Sequence, residues 1–236
     1  LKILLIGYGR MGKMIESITL NTDDEVIGRV TKTEDIRNYA GLADVAIEFT
    51  QPDAAVENIL ECFKAEIPIV CGTTGWYHQL DRVKREAEKH RGTLLYSSNF
   101  SIGVQLFFQI CKHASALISR YKDYKPSIRE VHHTRKLDAP SGTAITLAEY
   151  VLQHYPSLKK YSSNSTDDET LIIQSVREGD VPGIHQLYFT SQIDEIHISH
   201  QAFSREGFAR GALAAAAWIR NRTGVFTMEE FLDLSK

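Results

Sequence analysis

The apolar run Lys2–Ile6 ends in three glycines, Gly7, Gly9 and Gly12, spaced GxGxxG, and a helical pattern over 10–20 begins among them. Few short patterns constrain a chain more tightly. The first glycine permits a sharp turn, the second lets backbone approach a pyrophosphate, and the third lets the helix close on the strand. The helix start offers unpaired N–H groups to phosphates. On the first strand of a unit that alternates strands and helices, this reads as a dinucleotide cradle in preference to a purely structural turn. That alternation is present. Strands are expected at 25–30, 43–49, 67–70 and 93–96. Between them lie a helix from Pro52, with Ala55, Val56, Ile59, Leu60 and Phe63 on one stripe, and a charged amphipathic helix over 79–89. Such a pattern specifies a parallel sheet with crossover helices.

The second half is patterned differently. A long helix is expected over 103–118, with Val104, Leu106, Phe107, Ile110 and Leu117 as its apolar surface, then a strand at 127–131 and a helix at 142–153. After a polar loop, TDDET at 166–170, three strand patterns (171–176, 185–190 and 193–199) are separated by short polar turns, which suits an antiparallel or mixed sheet. A helix over 205–219 carries an alanine run read as a buried helix contact, and a short helix is expected at 228–234. The fold class is α/β: an N-terminal Rossmann-like parallel sheet over 1–100, and a second α+β domain with a mixed or antiparallel sheet over 101–204. The C-terminal helices, 205–236, are candidates for packing back onto the first domain.

Charge and cysteine content narrow the function classes. With 27 basic and 30 acidic residues the net charge is −3, which argues against a nucleic-acid-binding module. No apolar run approaches the roughly 20 residues of a membrane helix. Cys62, Cys71 and Cys111 form no CxxC pair, so neither a disulfide scaffold nor a cysteine zinc site is expected, and a reducing, cytoplasmic compartment fits. The opening strand does not read as a targeting segment.

For cofactor choice, an NAD-selective fold offers an acid at the end of the second strand. Here Thr31 and Lys32 stand there, with Glu34 and Asp35 further on, while Arg29 and Lys32 could meet a 2′-phosphate. The expectation is NADPH or NADH, leaning to NADPH. The chemistry-bearing segment is IREVHHTRKLDAPSGTAI. His132 and His133 are adjacent, so on a strand their side chains diverge and they make a poor joint metal site; no metal is expected. His132, His133 and Lys136 form a cluster of proton-carrying groups beside a turn. Ser141 suits a helix N-cap, and the N–H groups after it, together with the Thr143 hydroxyl, could hold a carboxylate.

The segment EVHHTRKLDAPSGTA resembles the long catalytic signature of the 4-hydroxy-tetrahydrodipicolinate (dihydrodipicolinate) reductase family. GYGRMG, DVAIEFTQP, VCGTTG, SSNFSIGV and the tail FARGALAAAAWI are similar to that family as well, so the resemblance spans nearly the whole chain. It implies an NAD(P)H-dependent reductase of diaminopimelate and lysine biosynthesis, acting on a small cyclic imine-type dicarboxylate. It implies a dinucleotide held by Gly7, Tyr8, Gly9, Arg10, Met11 and Gly12, by Gly72, Thr73 and Thr74, and by Ser97, Ser98, Asn99 and Phe100. By the same resemblance His132 and Lys136 occupy the proton-transfer positions, His133 contacts substrate, and Gly142 and Thr143 hold a carboxylate beside Ser141. Arg135 has a secondary role at most. A homotetramer formed through the second domain's sheet is implied, and His185, His197 and His200 read as structural or surface histidines. The chain departs from the family in its plain glycine loop, in a short segment before Ala43, and in Thr31 where an acid is common. The rivals are another two-domain NAD(P)-linked oxidoreductase acting on an imine or semialdehyde, and a non-catalytic dinucleotide sensor. A serine hydrolase lacks its GxSxG elbow.

Overall fold

The computed structural model describes residues 1–165 and 167–233. The chain forms two compact units, Leu1–Ile102 with Glu206–Lys236, and Gly103–Arg205.

The first unit begins β1 (Lys2–Ile6), α1 (Arg10–Thr19) and β2 (Glu25–Val30); a 3-10 segment, Thr33–Tyr39, follows. It continues β3 (Val45–Glu48), α2 (Pro52–Lys64), β4 (Ile69–Cys71), α3 (Leu80–His90) and β5 (Thr93–Tyr96). Its six-stranded sheet runs β11-β5-β4-β3-β1-β2, every pair parallel, where β11 is Gly224–Phe226 from the C-terminal segment. The period of two in β1 divides the core. Leu4 and Ile6 face α2 and α3 with Ala55, Ile59, Phe63 and Val83, while Ile3 and Leu5 face α1 and α6 (Glu206–Ile219) with Ile15, Ala212 and Ala216. The five stripe residues of α2 are all buried. Ala212, Ala215 and Ala216 are likewise buried, and a Cβ on Gly211 would lie 1.8 Å from the Phe100 carbonyl oxygen, so small residues set how closely α6 approaches the sheet.

The second unit begins with α4 (Ile102–Ile118), β6 (Lys125–His132) and α5 (Gly142–His154). Then come β7 (Lys160–Ser162), β8 (Thr170–Arg177), β9 (Gly183–Thr190) and β10 (Glu195–Ala202). Its mixed sheet runs β10-β9-β6-β8-β7, with β6 parallel to β8 and antiparallel to β9. Ile128, Ile173, Leu187 and Phe189 pack beneath Phe107, Phe108, Cys111, Leu147 and Val151 of α4 and α5.

Several expectations need correction. On α4 only Val104 and Phe107 of the expected apolar surface are buried; Leu106, Ile110 and Leu117 are exposed, because they lie on the flank turned away from the sheet. The last long strand starts two residues late: Ser191 Oγ accepts from the Ile193 and Asp194 N–H groups, which locks 191–194 into a turn and leaves Ile193 outside the sheet. β7 and β11 have three residues each and exist through their pairing with β8 and β5. The terminal helix, α7, is Met228–Phe231, begun by a Thr227–Glu230 capping box; Leu234, and Thr166 of the acidic loop, lie outside the described residues. Among the described residues, no helix is long and apolar enough to cross a membrane.

Candidate active site

Two places in the molecule are built for ligands, one in each unit. In the first, β1 sits between β2 and β3, so the strand order reverses there and a crevice opens at the strand ends. A cavity of about 410 Å³ occupies that position, lined by Gly7, Gly9, Thr31, Thr33, Phe49, Thr50, Gln51 and Asn58. Gly7 has φ +87°, and a Cβ there would meet the Phe49 carbonyl oxygen at 2.3 Å; a Cβ on Gly12 would meet the Gly7 oxygen at 2.5 Å. Those two glycines are obliged by the turn itself. Gly9 is different: a Cβ there meets nothing within 4 Å, so its absence serves no internal contact and leaves room in front of the loop. Gly9 also caps α1 without a side-chain bond, and the first turn of α1 holds no acid, so its N–H groups remain open to an anion. The residues present fit a dinucleotide pyrophosphate.

The other residues named for the cofactor fall into three groups. Tyr8 donates its hydroxyl to Glu16, which also pairs with Arg29, and Arg29 lies 5.5 Å over the Tyr8 ring. Arg10, Lys32, Thr74 and Ser98 are exposed. Phe100 is buried in the core, so a contact of its own with a cofactor runs through backbone, while Met11 is half-buried against the same core. Thr73 accepts from the Thr50 N–H at 2.8 Å and its carbonyl receives the Trp76 indole N–H at 2.8 Å, tying the loop after β4 to the loop after β3. Gly72 leaves room for the Phe49 ring, which a Cβ would approach to 2.0 Å. Ser97 Oγ accepts from the Asn99 N–H at 3.1 Å and donates to its carbonyl at 2.8 Å, shaping the turn after β5.

The second place arises where three strands of the other sheet pass from core to edge. On their helix-covered face they read Ile128–Glu130–His132, Ile173–Ser175–Arg177 and Leu187–His185–Gly183, and the register sets Ser175 and His185 directly beside Glu130 and Arg177 beside His132. Glu130 is fully buried. It accepts from the Ser141 N–H at 3.1 and 3.2 Å, from Ser175 Oγ at 2.8 Å and from Arg177 Nη2 at 3.3 Å. Burial pushes its carboxyl upward, but the hydrogen bonds from Ser141 and Ser175 outweigh this and hold it below the usual range.

His132 Nδ1 stands 3.4 Å from Glu130 Oε2. The His185 ring packs edge-on against His132 at 4.9 Å, and its Nε2 is 3.2 Å from Ser141 Oγ. Burial lowers His132 to about 4, a shift opposed by Glu130 and reinforced by Lys136 and Arg177; burial and His132 lower His185 to about 3. Both imidazoles are therefore neutral at neutral pH. His185 is buried and partnered by Ser141, as expected of a structural histidine, and it stands directly against His132. His197, by contrast, stacks on Tyr188 at 4.4 Å, and His200 packs near Phe107. Among the described residues Glu130, His132 and His185 have the spacing of a metal-binding trio, all within 4.8 Å. The carboxylate's charge, however, is already met by a guanidinium, an N–H and a hydroxyl, which favours a hydrogen-bonded network over an ion.

Around this network lie the remaining named residues. His133 Nε2 accepts from Arg205 at 3.1 Å. Lys136 binds the Asp138 carboxylate at 2.7 and 2.8 Å and is one-fifth exposed, so it is a cation near the surface of the site. Ser141 caps α5, accepting from the Ala144 N–H at 3.2 Å; Gly142 and Thr143 form its first turn, with open space at Gly142. Arg135 pairs with Asp180 on the surface. The segment 132–143 thus brings the proton-carrying groups and a helix start together, and sequence missed Glu130, Ser175, Arg177 and His185 as its supports.

Comparison with known proteins covers both units. Residues 1–100 match the family model for dihydrodipicolinate reductase, N-terminus, and residues 103–232 match that for its C-terminus. The 4-hydroxy-tetrahydrodipicolinate reductase of Christiangramia forsetii is 41% identical over 240 residues, covering 100% of both chains. That of Neisseria meningitidis is 29% identical over 267 residues, covering 100% of this chain and 98% of the relative. Among solved structures, dipicolinate-bound dihydrodipicolinate reductase from Paenisporosarcina sp. TG-14 superposes with a TM-score of 0.79 at 22% identity, covering 96% of this chain and 97% of that one. An engineered D-amino acid dehydrogenase bound to NADP+ gives 0.57 at 12% identity, covering 98% and 93%. At those identities the likeness is one of fold.

Proposed function

The chain belongs to the dihydrodipicolinate reductase family, and on that premise we propose that it carries out the NAD(P)H-dependent reduction of 4-hydroxy-tetrahydrodipicolinate to tetrahydrodipicolinate, in diaminopimelate and lysine biosynthesis. The single observation that supports this in the chain's own residues is the helix start at Ser141, whose N–H is held by the same Glu130 carboxylate that stands 3.4 Å from His132.

The overall change adds a hydride and a proton to the substrate and releases water. The dinucleotide supplies the hydride. The glycine loop, Gly7 to Gly12, and the N–H groups opening α1 bind the pyrophosphate, with the turns at Gly72–Thr74 and Ser97–Phe100 completing the cradle through backbone and hydroxyl groups. In the second unit the N–H groups of Gly142 and Thr143, with the Thr143 hydroxyl, hold one substrate carboxylate, and His133 contacts the ring. Lys136, released from Asp138, meets the dianion and supplies the proton or the charge that stabilises its arrival. His132 is neutral before substrate binds, so it serves by taking up a proton and passing it on, not as a standing acid.

For the cofactor we favour NADPH. Arg29 is committed to Glu16, which leaves Lys32, at the start of the 3-10 segment, to carry the preference. A cytoplasmic homotetramer completes the proposal: Leu106, Ile110 and Leu117 form an exposed apolar row on α4, exposed Tyr121 follows the helix, and β10 is an open sheet edge. The test is absorbance at 340 nm with NADH or NADPH and substrate made in situ from pyruvate and aspartate semialdehyde. Substrate-dependent oxidation, faster with NADPH, is expected; dinucleotide binding without turnover would turn the reading to a sensor.

A further inference from the structure

The groups beneath His132 carry an inference that rests on the proposed reductase activity. We propose that Glu130 is the positioning residue of proton transfer, its carboxylate favouring the hydrogen of His132 on Nδ1, which leaves the Nε2 lone pair beside Gly183 to take a proton, and balancing the charge when Nε2 is protonated.

The geometry is specific. Glu130 Oε1 accepts from Ser175, Arg177 and Ser141, whereas Oε2 shares the Ser141 N–H at 3.2 Å and stands 3.4 Å from His132 Nδ1 and 3.8 Å from His185 Nε2. His132 Nδ1 is buried and makes no hydrogen bond, so its tie to Glu130 at 3.4 Å is one of charge. A carboxylate this close favours the hydrogen on Nδ1, because a lone pair facing the carboxylate's would be repelled. Nε2 then carries a lone pair. A Cβ on residue 183 would lie 3.2 Å from Nε2 and 3.4 Å from Cδ2 of the same ring, and Gly183 has no positive φ to require glycine. The missing side chain therefore serves the imidazole and not the backbone.

In the step this implies, a proton from solvent water binds Nε2, giving an imidazolium whose charge Glu130 offsets. The Nε2–H bond then breaks toward the substrate atom that must be protonated, its electron pair stays on nitrogen, and Nδ1–H is retained throughout. The same carboxylate accepts from the Ser141 N–H, so the helix that would hold the substrate carboxylate and the imidazole that moves the proton share one anchor. The charged and titratable groups that face His132 are Glu130 from β6, Lys136 and Asp138 from the following loop, Arg177 from β8 and His185 from β9.

The test is the kcat–pH profile of Glu130→Gln, a near-isosteric change that removes the charge and turns one acceptor oxygen into an amide donor. If His132 must be protonated to act, losing its counter-charge makes protonation harder, so the alkaline limb of kcat should move to lower pH by about one to three units. At pH 8 kcat should fall at least about tenfold, with KM for substrate and dinucleotide affinity little changed. Gly183→Ala should lower kcat without moving the limb. Ser175→Ala, which strips a donor from the carboxylate and leaves more of its charge for His132, should move the limb slightly the other way and serves if Glu130→Gln does not fold. An unshifted limb in Glu130→Gln and Ser175→Ala, or a loss confined to KM, overturns the inference while leaving the reductase reading intact. Absence of substrate-dependent oxidation in the unaltered protein would instead overturn that reading.

Discussion

The two ligand places are made by opposite means. The cradle in the first unit is made by leaving side chains out: Gly7, Gly9 and Gly12 strip one turn to backbone, and α1 begins without a side-chain cap, which leaves its first N–H groups open to an anion. The place in the second unit is made by putting polar side chains where apolar ones would otherwise continue the core. Glu130, His132, Ser175, Arg177 and His185 lie toward one end of the face on which the same three strands also carry Ile128, Ile173 and Leu187. A backbone cradle tolerates many partners that share a pyrophosphate. A buried network of charges is costly unless fully paired, and so fixes one arrangement of its groups.

That difference predicts where single substitutions do their damage. The largest effect should come from Lys136→Ala, which removes a cation at the surface of the network. We expect kcat to fall by about 10²–10⁴-fold, with melting temperature nearly unchanged because the side chain is partly exposed and pairs with Asp138, itself largely exposed. Steady-state kinetics beside a thermal melt would check this; near-normal kcat would remove Lys136 from the proton-transfer step. Smaller is Thr143→Val at the opening of α5. Losing a hydroxyl donor to a carboxylate should raise KM for substrate about tenfold, the scale of one hydrogen bond to a charged group, and an unchanged KM would count against a carboxylate clamp there.

The smallest effect is on stability, and it belongs to the second unit. His132 and His185 have folded values of about 4 and about 3, below the value near 6.5 of an unfolded histidine. The unfolded chain therefore binds more protons as pH drops. The stability is whole above about pH 6.5 and is lost as pH falls toward 4. Between pH 7.5 and 5 the melting temperature should fall on the order of a few degrees, and His185→Gln should flatten that slope. A slope equal to that of the unaltered protein would mean His185 is not held neutral by the fold.

The same contrast explains how much could be read from the chain. The glycine loop and the segment His132–Thr143 are contiguous, and their spacing carries their meaning, so both were legible without coordinates. Glu130, Ser175, Arg177 and His185 lie on three strands and meet only through register, which no local pattern encodes. One trace was present: each strand pattern turns polar on its inward positions near one end, and inward polar residues need a reason. The exposed flank of α4 eluded the reading for a related cause, since helical periodicity reports which residues are apolar and not which neighbour covers them. β7 and β11 are too short to leave any signal apart from the strands they join.

The most direct test of this division of labour is a titration of NADPH against the unaltered protein, Gly9→Ala and Lys136→Ala, read by calorimetry. Because the Cβ of Gly9 would enter space that no protein atom fills, Gly9→Ala should fold normally and bind NADPH at least about tenfold more weakly, the cost of displacing backbone contacts to an anion, while Lys136→Ala binds it as the unaltered protein does. Equal NADPH affinity in Gly9→Ala, or its loss in Lys136→Ala, would contradict a cofactor site built from backbone in one unit and a proton-transfer site built from side chains in the other.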